Sequence, residues 1–168
     1  VLTVGGTATT AGSDVVVTMV VVTNTATAQD AVSPTVTASI EAGTNDCTIT
    51  SSAMVKPGTD LIGVTGGLDP LKTVVPTFTT KSIQQSSPLN GVLNTLTVTL
   101  VTDVDLAATS TVTIAGLTGT QTADAASLAI TSTSSLLGTT AGWTKDSGTL
   151  VLTVGGTATT AGSDVVVT

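Results

Sequence analysis

Leu96-Thr97-Val98-Thr99-Leu100 alternates large apolar and hydroxyl side chains. A period of two puts one set on each face of a strand, so this stretch reads as a strand with one face on a core and one in solvent. After a turn over 103–108, Thr111-Val112-Thr113-Ile114 resumes the pattern with Val112 and Ile114 inward. Thr149-Leu150-Val151-Leu152-Thr153-Val154 and Thr35-Val36-Thr37-Ala38-Ser39-Ile40 repeat it. Strands of this kind belong to antiparallel sheets. Shorter strands are expected over 60–64, 73–79 and 127–131. Turn chemistry at Lys56-Pro57-Gly58, Gly66-Gly67, Asp69-Pro70 and Asn90-Gly91 separates them. About nine strands, with a turn every ten or so residues, predict an all-β fold: an antiparallel β-sandwich.

Composition points the same way. The 168 residues include 40 Thr and 24 Val. Both are β-branched; they lose side-chain freedom in a helix and fit the pleated surface of a sheet. With one Glu and four Lys, strong helix formers are scarce, and almost no helix is expected. Residues 14–22, Asp-Val-Val-Val-Thr-Met-Val-Val-Val, are apolar on both faces. They predict a central strand, or one whose outer face is covered by a neighbouring unit.

The two ends of the chain share one sequence. Residues 1–18 read VLTVGGTATTAGSDVVVT, and residues 151–168 read the same without substitution. The chain therefore reads as one 150-residue period of a tandem array plus an 18-residue overlap, starting at Val1 as an excerpt would. On this reading residues 1–80 hold the end of one sandwich unit and a short companion β segment. Residues 81–91 are a polar linker, and residues 92–168 begin the next sandwich. That sandwich crosses the copy junction, so the boundary in sequence and the boundary in space differ. A fainter echo pairs Leu2-Thr3-Val4 with Leu96-Thr97-Val98, and Thr23-Asn24-Thr25-Ala26-Thr27 with Thr118-Gly119-Thr120-Gln121-Thr122.

The missing residue types exclude several functions. There is no His, Arg or Tyr. No His-based triad, His-ligated zinc or guanidinium clamp can be built. A net charge of −7 with four Lys argues against nucleic acid, which needs a basic face. The longest near-apolar run, residues 15–22, falls far short of the ~20 residues of a membrane helix. The glycines at 5–6 and 63–67 fit no phosphate loop or dinucleotide fingerprint. No spacing suggests an enzyme or a cofactor.

Few side chains remain as candidates. Asp103 and Asp105 could offer oxygens to calcium, which takes six to eight, but no third acid lies beside them in sequence. A solvated turn is the plainer reading, and it extends to Asp60 and Asp69. Cys47 is the single thiol: on the alternation of 46–50 it shares the side of Ile49, which suggests a buried thiol, with an intermolecular contact as the alternative. Ser33-Pro34-Thr35 and Pro76-Thr77 offer Thr35 and Thr77 as O-glycosylation acceptors in a secreted chain. A buried lysine for an isopeptide bond would have to come from Lys56, Lys72, Lys81 or Lys145. Trp143 is the one candidate for sugar stacking, although a core tryptophan fits it better.

Leu96-Thr97-Val98-Thr99-Leu100, Asp105-Leu106-Ala107-Ala108-Thr109-Ser110 and Thr111-Val112-Thr113-Ile114-Ala115-Gly116-Leu117-Thr118-Gly119 together resemble a sandwich module of large repetitive surface proteins. Gly148-Thr149-Leu150-Val151-Leu152-Thr153-Val154 adds to the likeness. Such modules are similar to stalk repeats of bacterial adhesins and to Thr-rich repeats of very large secreted or surface proteins of algae and other protists. The resemblance implies an immunoglobulin-like fold, an extracellular or cell-surface location and a spacer or fibre role. The expected function is a structural repeat of a filament or appendage whose partners are copies of itself. An adhesive or glycan-binding module is the alternative.

Overall fold

A computed structural model describes residues 1–41, 43–134 and 137–168. Among them there is no α-helix; a single 3-10 turn, Gly43–Asn45, is the only helical element. The chain is all-β, and every strand pairing is antiparallel. The strands are β1 (Thr35–Ile40), β2 (Cys47–Ala53), β3 (Phe78–Gln85), β4 (Leu96–Thr102), β5 (Thr111–Ile114), β6 (Ala125–Ala129), β7 (Thr140–Thr144), β8 (Thr149–Thr153) and β9 (Val165–Val167). They form a β1-β2 hairpin, a three-stranded sheet ordered β3-β4-β9 and a four-stranded sheet ordered β5-β8-β7-β6.

One buried cluster joins the two larger sheets. Ala141 and Trp143 of β7, Leu150 and Leu152 of β8, and Val167 of β9 belong to it, together with Leu137 and Val154. Val112, Ile114, Leu128 and Val165 pack against its edge. On β4, Val98 and Val101 are buried as well, on opposite faces of the strand. Alternation is thus converted into burial: on β8, Leu150 and Leu152 are buried, while Thr149, Val151 and Thr153 are less so.

The duplicated ends adopt different states. In the second copy, Leu152, Val154 and Val167 are 0%, 1% and 2% exposed. Their counterparts Leu2, Val4 and Val17 are 78%, 64% and 51% exposed. Residues 1–28 contain no strand, and all are exposed. The strand expected over 14–22 is therefore absent in the first copy. Its second-copy equivalent, Val165–Val167, is β9 because β4 lies beside it, with Val98 opposite Val167 and Leu100 opposite Val165. Local preference is the same at both ends; only the partner differs.

Other expectations also need correcting. The polar segment read as a linker over 81–91 supplies much of β3, and the three-stranded sheet starts at Phe78 rather than near Val92. β3 is exposed along its whole length, so neither of its faces meets a core that would require alternation. Residues 60–64 are turns joined by a Leu61–Val64 bridge, not a strand. Of 73–79, only Phe78 and Thr79 enter a strand, with Thr73 bridged to Gln29. β7 has no readable alternation, since Ala141 and Gly142 dilute its apolar pattern.

A paired truncation tests how much context decides. Leu152→Ala should cost about 2–5 kcal/mol in chemical denaturation, as for other fully buried leucines. Leu2→Ala, in an identical local sequence, should stay within about 0.5 kcal/mol of the parent.

Candidate functional site

The acidic candidates are occupied by the fold itself. Asp103 follows β4, and its two carboxylate oxygens accept from the Thr77 backbone N–H at 2.7 Å and the Thr77 hydroxyl at 2.8 Å. These bonds hold the Asp103 carboxyl below its ordinary value of 3.8. The result is a clamp that ties the approach to β3 onto the end of β4.

Asp105 serves a second junction. Its Oδ1 accepts the Ala161 N–H at 2.8 Å, and its own N–H is donated to the Ile62 carbonyl at 2.9 Å. Gly63 lies so close that a Cβ there would stand 2.6 Å from Asp105 Oδ1 and 2.5 Å from the Ala161 Cβ. Its φ of +76° also favours glycine. Asp105 therefore joins the turn cluster before β3 to the loop between β8 and β9. Asp60 Oδ1 accepts from Gly66 N–H at 2.8 Å, and Asp69 Oδ1 from Gly58 N–H at 2.7 Å. All four acids thus act as turn acceptors, which satisfy backbone donors that a loop leaves unpaired. No three acidic or Cys side chains come together as a metal-ligand group among the described residues.

Cys47 opens β2 and is exposed, contrary to the expectation of a buried thiol. The cause is the hairpin itself: every residue of β1 and β2 is exposed, so the Ile49 side of the alternation meets no second layer. Thr35 begins β1 and is exposed. Thr77 is exposed too, but its hydroxyl is donated to Asp103. None of the four lysines is buried, and Lys81 Nζ donates to the Phe78 carbonyl at 3.3 Å.

Trp143 is 7% exposed, and its Nε1–H is donated to the Thr122 carbonyl at 3.2 Å. The ring belongs to the core cluster and offers little face to a sugar. The Thr echo recurs in geometry: Thr27 N–H is donated to the Thr25 hydroxyl, and Thr122 N–H to the Thr120 hydroxyl.

Sequence reading missed one feature. An apolar groove of about 580 Å³ lies where β9 stops, lined by Ile83, Leu96, Leu128, Ile130, Trp143 and Thr168 among others. It could not be read from any one segment, because its walls come from both larger sheets. Compared with known proteins, the chain matches no family model, no curated protein and no solved structure.

The Asp103 clamp has a defined pH signature. A carboxyl held low in the folded state contributes stability above its unfolded value and loses it as pH falls through the folded value. Carbon-detected NMR titration of Asp103 should therefore show a midpoint below 3.8. The Thr77 amide signal should shift with the same midpoint. In Asp103→Asn, that Thr77 titration should disappear.

Proposed function

We propose that the chain is a structural repeat unit of an extracellular filament, fibre or surface appendage, built of immunoglobulin-like β-sandwiches that assemble by repeat-to-repeat packing. The observation that carries this reading is the pair of states of one 18-residue sequence. In the second copy it completes a core; in the first it lies outside any core, with Leu2, Val4, Val16 and Val17 all exposed. A segment that is structural in one position and bare in the other is suited to completing a neighbour. In a linear array each unit contacts mainly its neighbours, and stability is shared through those interfaces.

The surface chemistry agrees. Charged residues make up 9% of the chain, against about 25–35% on an ordinary soluble surface. The outward faces carry hydroxyl groups instead. Such faces can lie against copies of themselves without burying ionised groups, a step that is costly unless each charge is paired. Thr35 and the other exposed Thr hydroxyls are acceptors for O-glycans in a secreted protein.

Electron microscopy of the native protein tests the reading. The expected image is a long fibre with an axial repeat set by one unit. A population of discrete globular monomers under all conditions would overturn it.

A further inference from the structure

We infer that Asn90-Gly91, in the loop between β3 and β4, is a self-modifying site. The folded chain converts Asn90 to aspartate and isoaspartate through a cyclic imide. The inference goes beyond the filament reading and does not depend on it.

Asparagine is a chemically labile side chain, and a glycine after it opens the route. The Gly91 backbone nitrogen attacks the Asn90 side-chain carbonyl carbon and a cyclic imide closes. One C–N bond forms and the bond to the side-chain nitrogen breaks. That nitrogen leaves as ammonia, carrying the proton that Gly91 gives up. Water then opens the imide. Attack at the side-chain carbonyl gives aspartate. Attack at the main-chain carbonyl gives isoaspartate, whose backbone runs through the side-chain methylene. Nothing is oxidised or reduced, and water is the one co-reactant.

The chain has four asparagines, and the fold treats them differently. Asn24 and Asn94 are followed by Thr, and Asn45 by Asp. A side chain at that position crowds the attacking nitrogen, and a β-branched one is also stiff. Gly91 has none, and an added Cβ there would meet nothing within 4 Å. Its φ of +71° suits glycine, so the turn itself calls for the residue that opens the route. Asn94, in the same loop, is the opposite case. Its Oδ1 accepts from the Ser86 N–H and hydroxyl at 3.1 Å and from the Ser87 N–H at 3.0 Å. Its Nδ2 donates to Gln85 Oε1 at 2.8 Å. The nitrogen that would attack Asn94, that of Thr95, is itself engaged: its N–H is donated to Ser86 Oγ at 2.9 Å. Among the described residues no hydrogen bond holds the Asn90 side chain or the Gly91 N–H. Asn90 is exposed, so water reaches the imide. Conversion therefore changes the tip of the loop and spares its base. Each event adds one carboxylate to a chain of formal charge −7, beside exposed Leu89, Val92 and Leu93.

The test incubates the folded full chain in mildly alkaline buffer, which favours loss of the attacking nitrogen's proton. Isoelectric focusing should show a more acidic band that grows with time. Peptide mapping should place the change at Asn90 as two products, of which an isoaspartate-specific methyltransferase labels one. The band should be lost in Asn90→Gln and slowed in Gly91→Ala, with circular dichroism of both matching the parent. The chain unfolded in urea is the reference. Unfolding should speed conversion at Asn94, whose bonds are then gone, and change that at Asn90 little. An Asn90 that stays intact in the folded chain would overturn the site. So would folded-state conversion at Asn94 as fast as at Asn90, because the loop would then select nothing.

Discussion

The burial of Leu152, Val154 and Val167 in one cluster shared by the two larger sheets is the interaction on which the larger part of the molecule depends. These side chains occupy the second copy of an 18-residue sequence, where each has a partner: Val112 of β5 opposite Leu152, Leu137 bridged to Val154, and Val98 of β4 opposite Val167. The first copy has the same propensities and the same alternation, yet forms no strand. Strand formation here is a property of pairing and not of the segment. That agrees with the general view that β-propensity measures fit to a half-buried surface more than an intrinsic backbone preference.

The same constraint organises the loops. A chain with this little charge has few ion pairs with which to join its parts. Its junctions instead use carboxylates as acceptors for backbone amides. Asp103 ties the entry of β3 to the end of β4, and Asp105 ties the turns at 62–63 to the loop at 161. Thr159 is a buried hydroxyl that accepts the Leu106 N–H at 2.9 Å and holds the β8–β9 loop to the chain before β5. Among the described residues no buried side-chain polar atom lacks a partner. Buried polar groups are tolerated only on that condition.

The sequence was legible where a strand meets a core on one face. β4, β5 and β8 alternate cleanly and fall close to where the pattern puts them, and β1 does so too although it is exposed throughout. It was misleading where pattern and partner disagree. Residues 14–22 carry the most apolar pattern in the chain and stay unpaired, while polar Thr80-Lys81-Ser82-Ile83-Gln84-Gln85 forms a strand because β4 offers it an edge. Asp60 and Asp69 showed themselves as turn residues through nearby Gly and Pro, and Asp103 and Asp105 by lying between two alternating stretches. Their partners did not, because Thr77 and Ala161 lie 26 and 56 residues away. The groove was invisible for the same reason, being a property of two sheets and a strand end.

Trp143 gives the molecule an unusual optical simplicity. With one Trp and no Tyr in 168 residues, nearly all of its near-ultraviolet absorption and emission arises from a single indole. That indole is shielded, hydrogen-bonded to Thr122 and set in the wall of the groove where β9 ends. Its emission therefore reports the polarity of one place in the fold, without any label and without background from elsewhere.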